Sequence, residues 1–87
     1  MTEPKKTRTT VEIYNRSYTI IGDEPASHVE LVASLVDQKM NEIKDRNGYL
    51  DTTRLAVLTA VNTMSDYVKL KEDYDQLLDL ITRKEEK

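Results

Sequence analysis

The chain contains no cysteine, no tryptophan and no phenylalanine, and only one histidine, two glycines and two prolines. Each shortage closes a class of function. Without cysteine there is neither a disulfide framework nor a thiolate metal site. One histidine and no cysteine exclude the usual zinc clusters and Cys–His nucleophilic pairs. Gly22 and Gly48 stand far apart, so no glycine-rich phosphate loop is present. A calcium loop needs acidic residues at alternating positions followed by glycine, and that pattern is missing. No apolar run approaches the roughly 18 residues of a membrane span. No basic-then-apolar signal segment opens the chain. These absences lead to an expectation of a cytoplasmic protein with no membrane contact. The net charge of −3 argues against nucleic acid as a partner. Lys39, Lys44 and Arg46 interleave with Asp37, Glu42 and Asp45 instead of forming a basic stripe. No metal, cofactor or catalytic residue is expected, so the chain reads as a non-enzyme.

What the sequence does have is one long stretch, Thr52 to about Glu86, without glycine or proline. It reads as a single helix. In its second half the apolar positions Tyr67, Leu70, Tyr74, Leu77 and Ile81 are spaced 3, 4, 3 and 4, the rhythm of a coiled-coil seam. Its first half, Leu55 to Met64, is apolar over a wider arc, which implies burial against more than one neighbour. With 87 residues the chain is one domain at most. A core this small is marginal alone, and oligomerisation is a common stabiliser. The first helix spans roughly 30 Å and the long helix roughly 50 Å, so the far end of the long helix has no cover within its own chain. A second copy is expected to supply it. Asn62, inside the apolar half, either points outward or is a buried polar group that fixes register.

The remaining chain forms a small head. Residues 1–7 read as a disordered arm in which Lys5 and Lys6, with Arg8 just beyond, are basic; the arm is either a solvated tail or a contact for an acidic partner. Arg8 to Ile21 reads as a β-hairpin, because Val11 and Ile13 alternate with polar residues, as do Tyr18 and Ile20. A turn at Asn15-Arg16 would set Ile13 opposite Tyr18 and Val11 opposite Ile20, with all four on one face. Arg16 is a poor residue for the second position of a type I′ turn. Ser27 and Glu30 fit a capping box, or Pro25 sits in the first turn of a helix starting two residues earlier. This first helix is expected to run to about Arg46, with Val29, Val32, Leu35, Val36, Met40 and Ile43 as its apolar face. Asn47-Gly48 would end it in a left-handed cap. Asp51 is a natural N-cap for the long helix, and Leu50 is placed to staple against Leu55. Glu42 with Arg46, and Asp79 with Arg83, are spaced as surface ion pairs. His28 reads as an exposed first-turn residue, and Asp73, Asp75, Glu85 and Glu86 as a solvated face. The fold class is α+β: hairpin, short helix and a long C-terminal helix forming a coiled coil between chains. The head covers residues 8–64 and the coiled-coil tail 65–87.

Val11 to Ile20 resembles the opening hairpin of the ZapA family of bacterial cell-division proteins. Leu31-Val32-Ala33 with Val36 to Ile43 resembles its first helix, and Asp51 with Arg54 to Asn62 the start of its second. The family usually has glycine at the turn where this chain has Asn15, and some members have a longer tail. The resemblance implies a protein that binds FtsZ at the division site and cross-links its filaments into bundles, promoting division-ring assembly and septation. It implies a homodimer through the helices and, through the tails, a dumbbell-like homotetramer, with the heads facing the filament. It matches Arg16 to a family hairpin arginine and Leu58 to an apolar second-helix position, each linked to partner or subunit contact. Tyr14 and Asn15 beside Arg16 join the partner-binding candidates. So does Thr53, although the family can carry an acidic residue there and that contact does not transfer. The oligomerisation candidates are Leu58, Val61, Met64, Tyr67, Leu70, Tyr74, Leu77 and Ile81. A generic cytoplasmic coiled-coil adaptor, binding another protein through its head, is the alternative reading.

Overall fold

A computed structural model of the chain describes residues 6–85. Strands β1 (Thr7–Ile13) and β2 (Arg16–Gly22) form a two-stranded antiparallel hairpin. Helix α1 (Ala26–Arg46) follows, then the long helix α2 (Thr52–Glu85). This is the α+β order expected from the sequence. The expectation for the N-terminal arm falls mostly outside the described residues. Thr7 already belongs to β1, and its hydroxyl donates to the carbonyls of Gly22 and Glu24, tying the strand to the β2–α1 loop.

The hairpin turn is one residue earlier than its expected place. Tyr14 and Asn15 are the two central residues, at φ 51° and 67°. Ile13 therefore pairs with Arg16, Val11 with Tyr18 and Thr9 with Ile20. A type I′ turn needs φ > 0 at both central positions; Asn15 tolerates it in either register, and the observed one puts Tyr14 there and leaves Arg16 in extended backbone. The shift moves the register by two, an even number, so Val11, Ile13, Tyr18 and Ile20 still share one face. Val11 is buried beneath α1, while Tyr18 and Ile20 are exposed.

Helix α1 enters from Pro25, whose fixed φ of −65° and extended ψ of 153° direct the chain into the helix. Its carbonyl accepts the N–H groups of His28 and Val29 at 3.0 and 3.2 Å. No side chain caps this end, so the Ser27–Glu30 capping box is not formed. At the other end Asn47 has φ −134°, not a left-handed value. Its N–H reaches the carbonyls of Ile43 and Lys44, and its side-chain amide also donates to Ile43. The Lys44 ammonium then bridges the carbonyls of Gly48 and Leu50 at 2.9 and 2.8 Å. A side-chain clasp replaces the expected backbone cap. The buried side of α1 is rotated from the expected one. Ala33, Met40 and Ile43 are buried, whereas Val32 and Leu35 are exposed. Small Ala33 lets the hairpin approach, and the inward residues Val29, Ala33, Val36, Met40 and Ile43 follow a 4, 3, 4, 3 rhythm.

Helix α2 starts as expected. The Asp51 carboxylate accepts the N–H of Arg54 at 2.8 Å, as an N-cap does. Leu55, fully buried, forms the core with Met40 and Ile43. Ile13, Tyr14, Val36, Leu50 and Leu58 pack around them. This small core joins hairpin, α1 and the first turns of α2. Beyond Thr59 no described side chain of α2 is buried.

Candidate functional site

Two surfaces collect the candidate residues. The first is the hairpin turn. Tyr14 is half-buried against the core, and Asn15 and Arg16 are exposed beside it. In a two-residue turn the N–H of the first central residue faces away from the strand ladder and lacks a partner there. Here the Tyr14 N–H donates to the Asp37 carboxylate of α1 at 2.7 Å. Tyr14 and Arg16 line a mostly apolar groove of about 380 Å³ together with Ile13, Tyr18, Met40 and Ala56. Thr53 does not join them. It is exposed and lines a different groove, with Leu50, Val57, Leu58 and Val61. The structure thus groups Tyr14, Asn15 and Arg16 and separates Thr53.

The second surface is α2 itself. Leu58 is half-buried against the head, but the other seven oligomerisation candidates are exposed, from 48% for Ile81 to 68% for Leu70. They do not lie on one line. At about 100° per residue, Tyr67, Leu70, Tyr74, Leu77 and Ile81 fall within an arc of roughly 80°. Leu78 adjoins it. Continued towards the head, this face meets Ala56, Ala60 and Thr63, small residues that border a groove beside Val36 and Met40 of α1. Val57, Val61, Met64 and Val68 form a second exposed stripe roughly 130° round the helix. Helix α2 therefore presents two apolar faces. The sequence carries this stripe as a 4, 3, 4 spacing that starts inside the wider apolar arc of Leu55 to Met64 and runs past it to Val68. Asn62 is exposed in the single chain, and its amide donates to the Leu58 carbonyl at 3.0 Å.

Charges border these faces. The Lys39 ammonium meets the Asp66 carboxylate at 2.6 Å, linking α1 to α2 above the core. This hydrogen bond, and then the positive charge behind it, hold the Asp66 carboxyl below its ordinary value of 3.8. Along α2, Asp79 pairs with Arg83 at 3.1 Å as its spacing predicts, and Lys71 lies 3.9 Å from Asp75. Glu42 takes the Gln38 amide at 3.3 Å, and no ion pair with Arg46 forms among the described residues. Among those residues no group of three or more histidines and carboxylates is placed to hold a metal. No helix among them is long and apolar enough to cross a membrane.

Residues 9–87 match the model of the family described as Cell division protein ZapA. A relative of that description from Oceanobacillus iheyensis is 63% identical over 86 residues, covering 99% of this chain and all of the relative. Another, from a Geobacillus species, is 59% identical over 78 residues, covering 90% of each chain. Among solved structures, a ZapA mutant dimer from Geobacillus stearothermophilus aligns with a TM-score of 0.73 and 49% identity. That alignment covers 94% of this chain and 95% of the other.

Proposed function

The chain belongs to the ZapA family of cell-division proteins, and on that premise we propose that it is a non-enzymatic bridge between FtsZ filaments. Its head, residues 8–64, meets the filament through the exposed turn around Arg16. Its α2 helices join copies into a homodimer, and the tail, residues 65–87, joins dimers into a tetramer. The protein works in the cytoplasm at the division site, where bundling favours the ring.

One observation carries this reading: α2 holds two exposed apolar stripes and buries no described side chain beyond Thr59. A lone soluble chain gains nothing from such faces, whereas partner helices turn them into a core. Two stripes accommodate two neighbours, which suits an assembly beyond a pair. The solved relative from Geobacillus stearothermophilus is a mutant dimer. A rigid particle with several identical heads holds two filaments even when each contact is weak, because the second binding event is intramolecular.

The test is Leu77→Glu, read by sedimentation equilibrium and by pelleting with FtsZ filaments. Assembly and bundling should fall while single-head binding persists. Unchanged mass and unchanged bundling would refute the proposal. Assembly without any FtsZ co-pelleting by the unmodified protein would instead favour an adaptor for another protein.

A further inference from the structure

We propose that Asp37 is a positioning residue for the hairpin turn, locking it in the shape that presents Arg16 to the filament. The inference rests on the proposed function for its partner and on geometry for the lock.

Three observations converge on it. Tyr14 has φ 51°, a conformation that bulky residues rarely adopt, so the turn needs support from outside the hairpin. The Tyr14 N–H, unpaired by the ladder, finds the Asp37 carboxylate at 2.7 Å across 23 positions of sequence. It is the only side-chain hydrogen bond from the hairpin to α1 among the described residues. An N–H donated to a charged acceptor is stronger than a neutral pair. Asp37 itself is half-buried on α1, one residue from the core-packing Val36. Among the described residues the Tyr14 amide is the donor that its carboxylate finds within the protein.

The consequence falls on Arg16. It closes the turn by pairing with Ile13 across the hairpin, so its direction depends on which two residues occupy the turn. The two-residue alternative at Asn15-Arg16 keeps the same apolar face, so hydrophobic packing does not choose between them. Asp37 chooses, by rewarding the one register that points the Tyr14 N–H at α1. A slip would put Arg16 inside the turn and change what the head presents.

The test compares Asp37→Ala, Asp37→Asn and Arg16→Ala in the full chain. Readouts are amide exchange at Tyr14, co-pelleting with FtsZ filaments, and mass by sedimentation. Asp37→Ala should speed Tyr14 exchange by about tenfold or more. It should also weaken filament binding towards the level of Arg16→Ala, with the assembly mass unchanged. Asp37→Asn keeps an acceptor oxygen and should restore most of both. In the unmodified protein the Tyr14 amide should be protected although it lies in a turn. Exchange there at the rate of a free peptide overturns the lock without recourse to a variant. Unchanged filament binding in Asp37→Ala, when Arg16→Ala weakens it, overturns the positioning role. If Arg16→Ala binds normally while Asp37→Ala still exposes the Tyr14 amide, the filament contact fails and the lock stands.

Discussion

Replacing Leu77 by glutamate isolates the seam from the fold. In the single chain Leu77 is 57% exposed, and so are its described neighbours along α2 beyond Thr59. Full burial of a leucine contributes about 1.5–3 kcal/mol. Covering the exposed half in a partner seam is therefore worth about 1–1.5 kcal/mol per chain, or about 2–3 kcal/mol for a symmetric pair. Loss of that alone weakens association by about 30- to 150-fold. Two carboxylates brought into an apolar seam weaken it further, since each loses water without gaining a donor. The single chain should barely notice, because exposed substitutions shift stability by about 0.5 kcal/mol or less. Sedimentation equilibrium over a concentration series measures the first effect, and bundling of FtsZ filaments by light scattering measures its consequence. Gln76→Glu adds the same charge roughly 140° round the helix from the seam and serves as control. If both variants lower the mass equally, or neither does, the tail stripe is not the seam and the reasoning fails.

Two further outcomes follow from the head and its junction with the tail. Leu55→Ala empties the centre of the core, where Leu55 is wholly buried against Met40 and Ile43, and should cost about 2–5 kcal/mol in urea unfolding. A cost below about 1 kcal/mol would mean that the head core is not the fold's anchor. The Asp66 carboxyl, held down by Lys39, should titrate below 3.8 in an NMR titration and return towards that value in Lys39→Met. Because the folded value is the depressed one, the ion pair's stabilisation is present above 3.8 and is lost as pH falls through the lower folded value. Asp66 is exposed, so the effect on melting should be slight, and a normal titration in the unmodified protein would contradict the 2.6 Å pairing.

Much of this architecture can be read from the residues alone, and the places where it cannot share a cause. The long helix announces itself through an unbroken run without glycine or proline and through the cap at Asp51. The hairpin announces its inner face, since alternation fixes which residues lie together. It does not announce its register, because two turn positions differing by two in register give the same face. The contact that separates them joins Tyr14 to Asp37, far apart in sequence and on different elements. The same holds for α1. Val32 and Leu35 are as apolar as the residues that are buried, but small Ala33 sets where the hairpin lies, and its modest hydrophobicity hides that role. The clasp by Lys44 at the end of α1 is local, reaching the Gly48 and Leu50 carbonyls of the loop before α2, but a lysine there reads as solvated surface until those carbonyls are in place. At the candidate site, pattern and resemblance single out the turn residues and the tail stripe. They pass over Asp37, because a carboxylate among lysines and glutamates on a helix looks like solvated surface until a donor is found for it.

The apolar faces of α2 make sense only if other copies of the chain cover them. Sedimentation equilibrium of the unmodified protein, from nanomolar to high micromolar concentration, tests this with no variant and no partner. The mass should climb from that of one 10.1 kDa chain to at least twice that value, with four chains at the upper end. A fully folded protein that stays at 10.1 kDa throughout would contradict it.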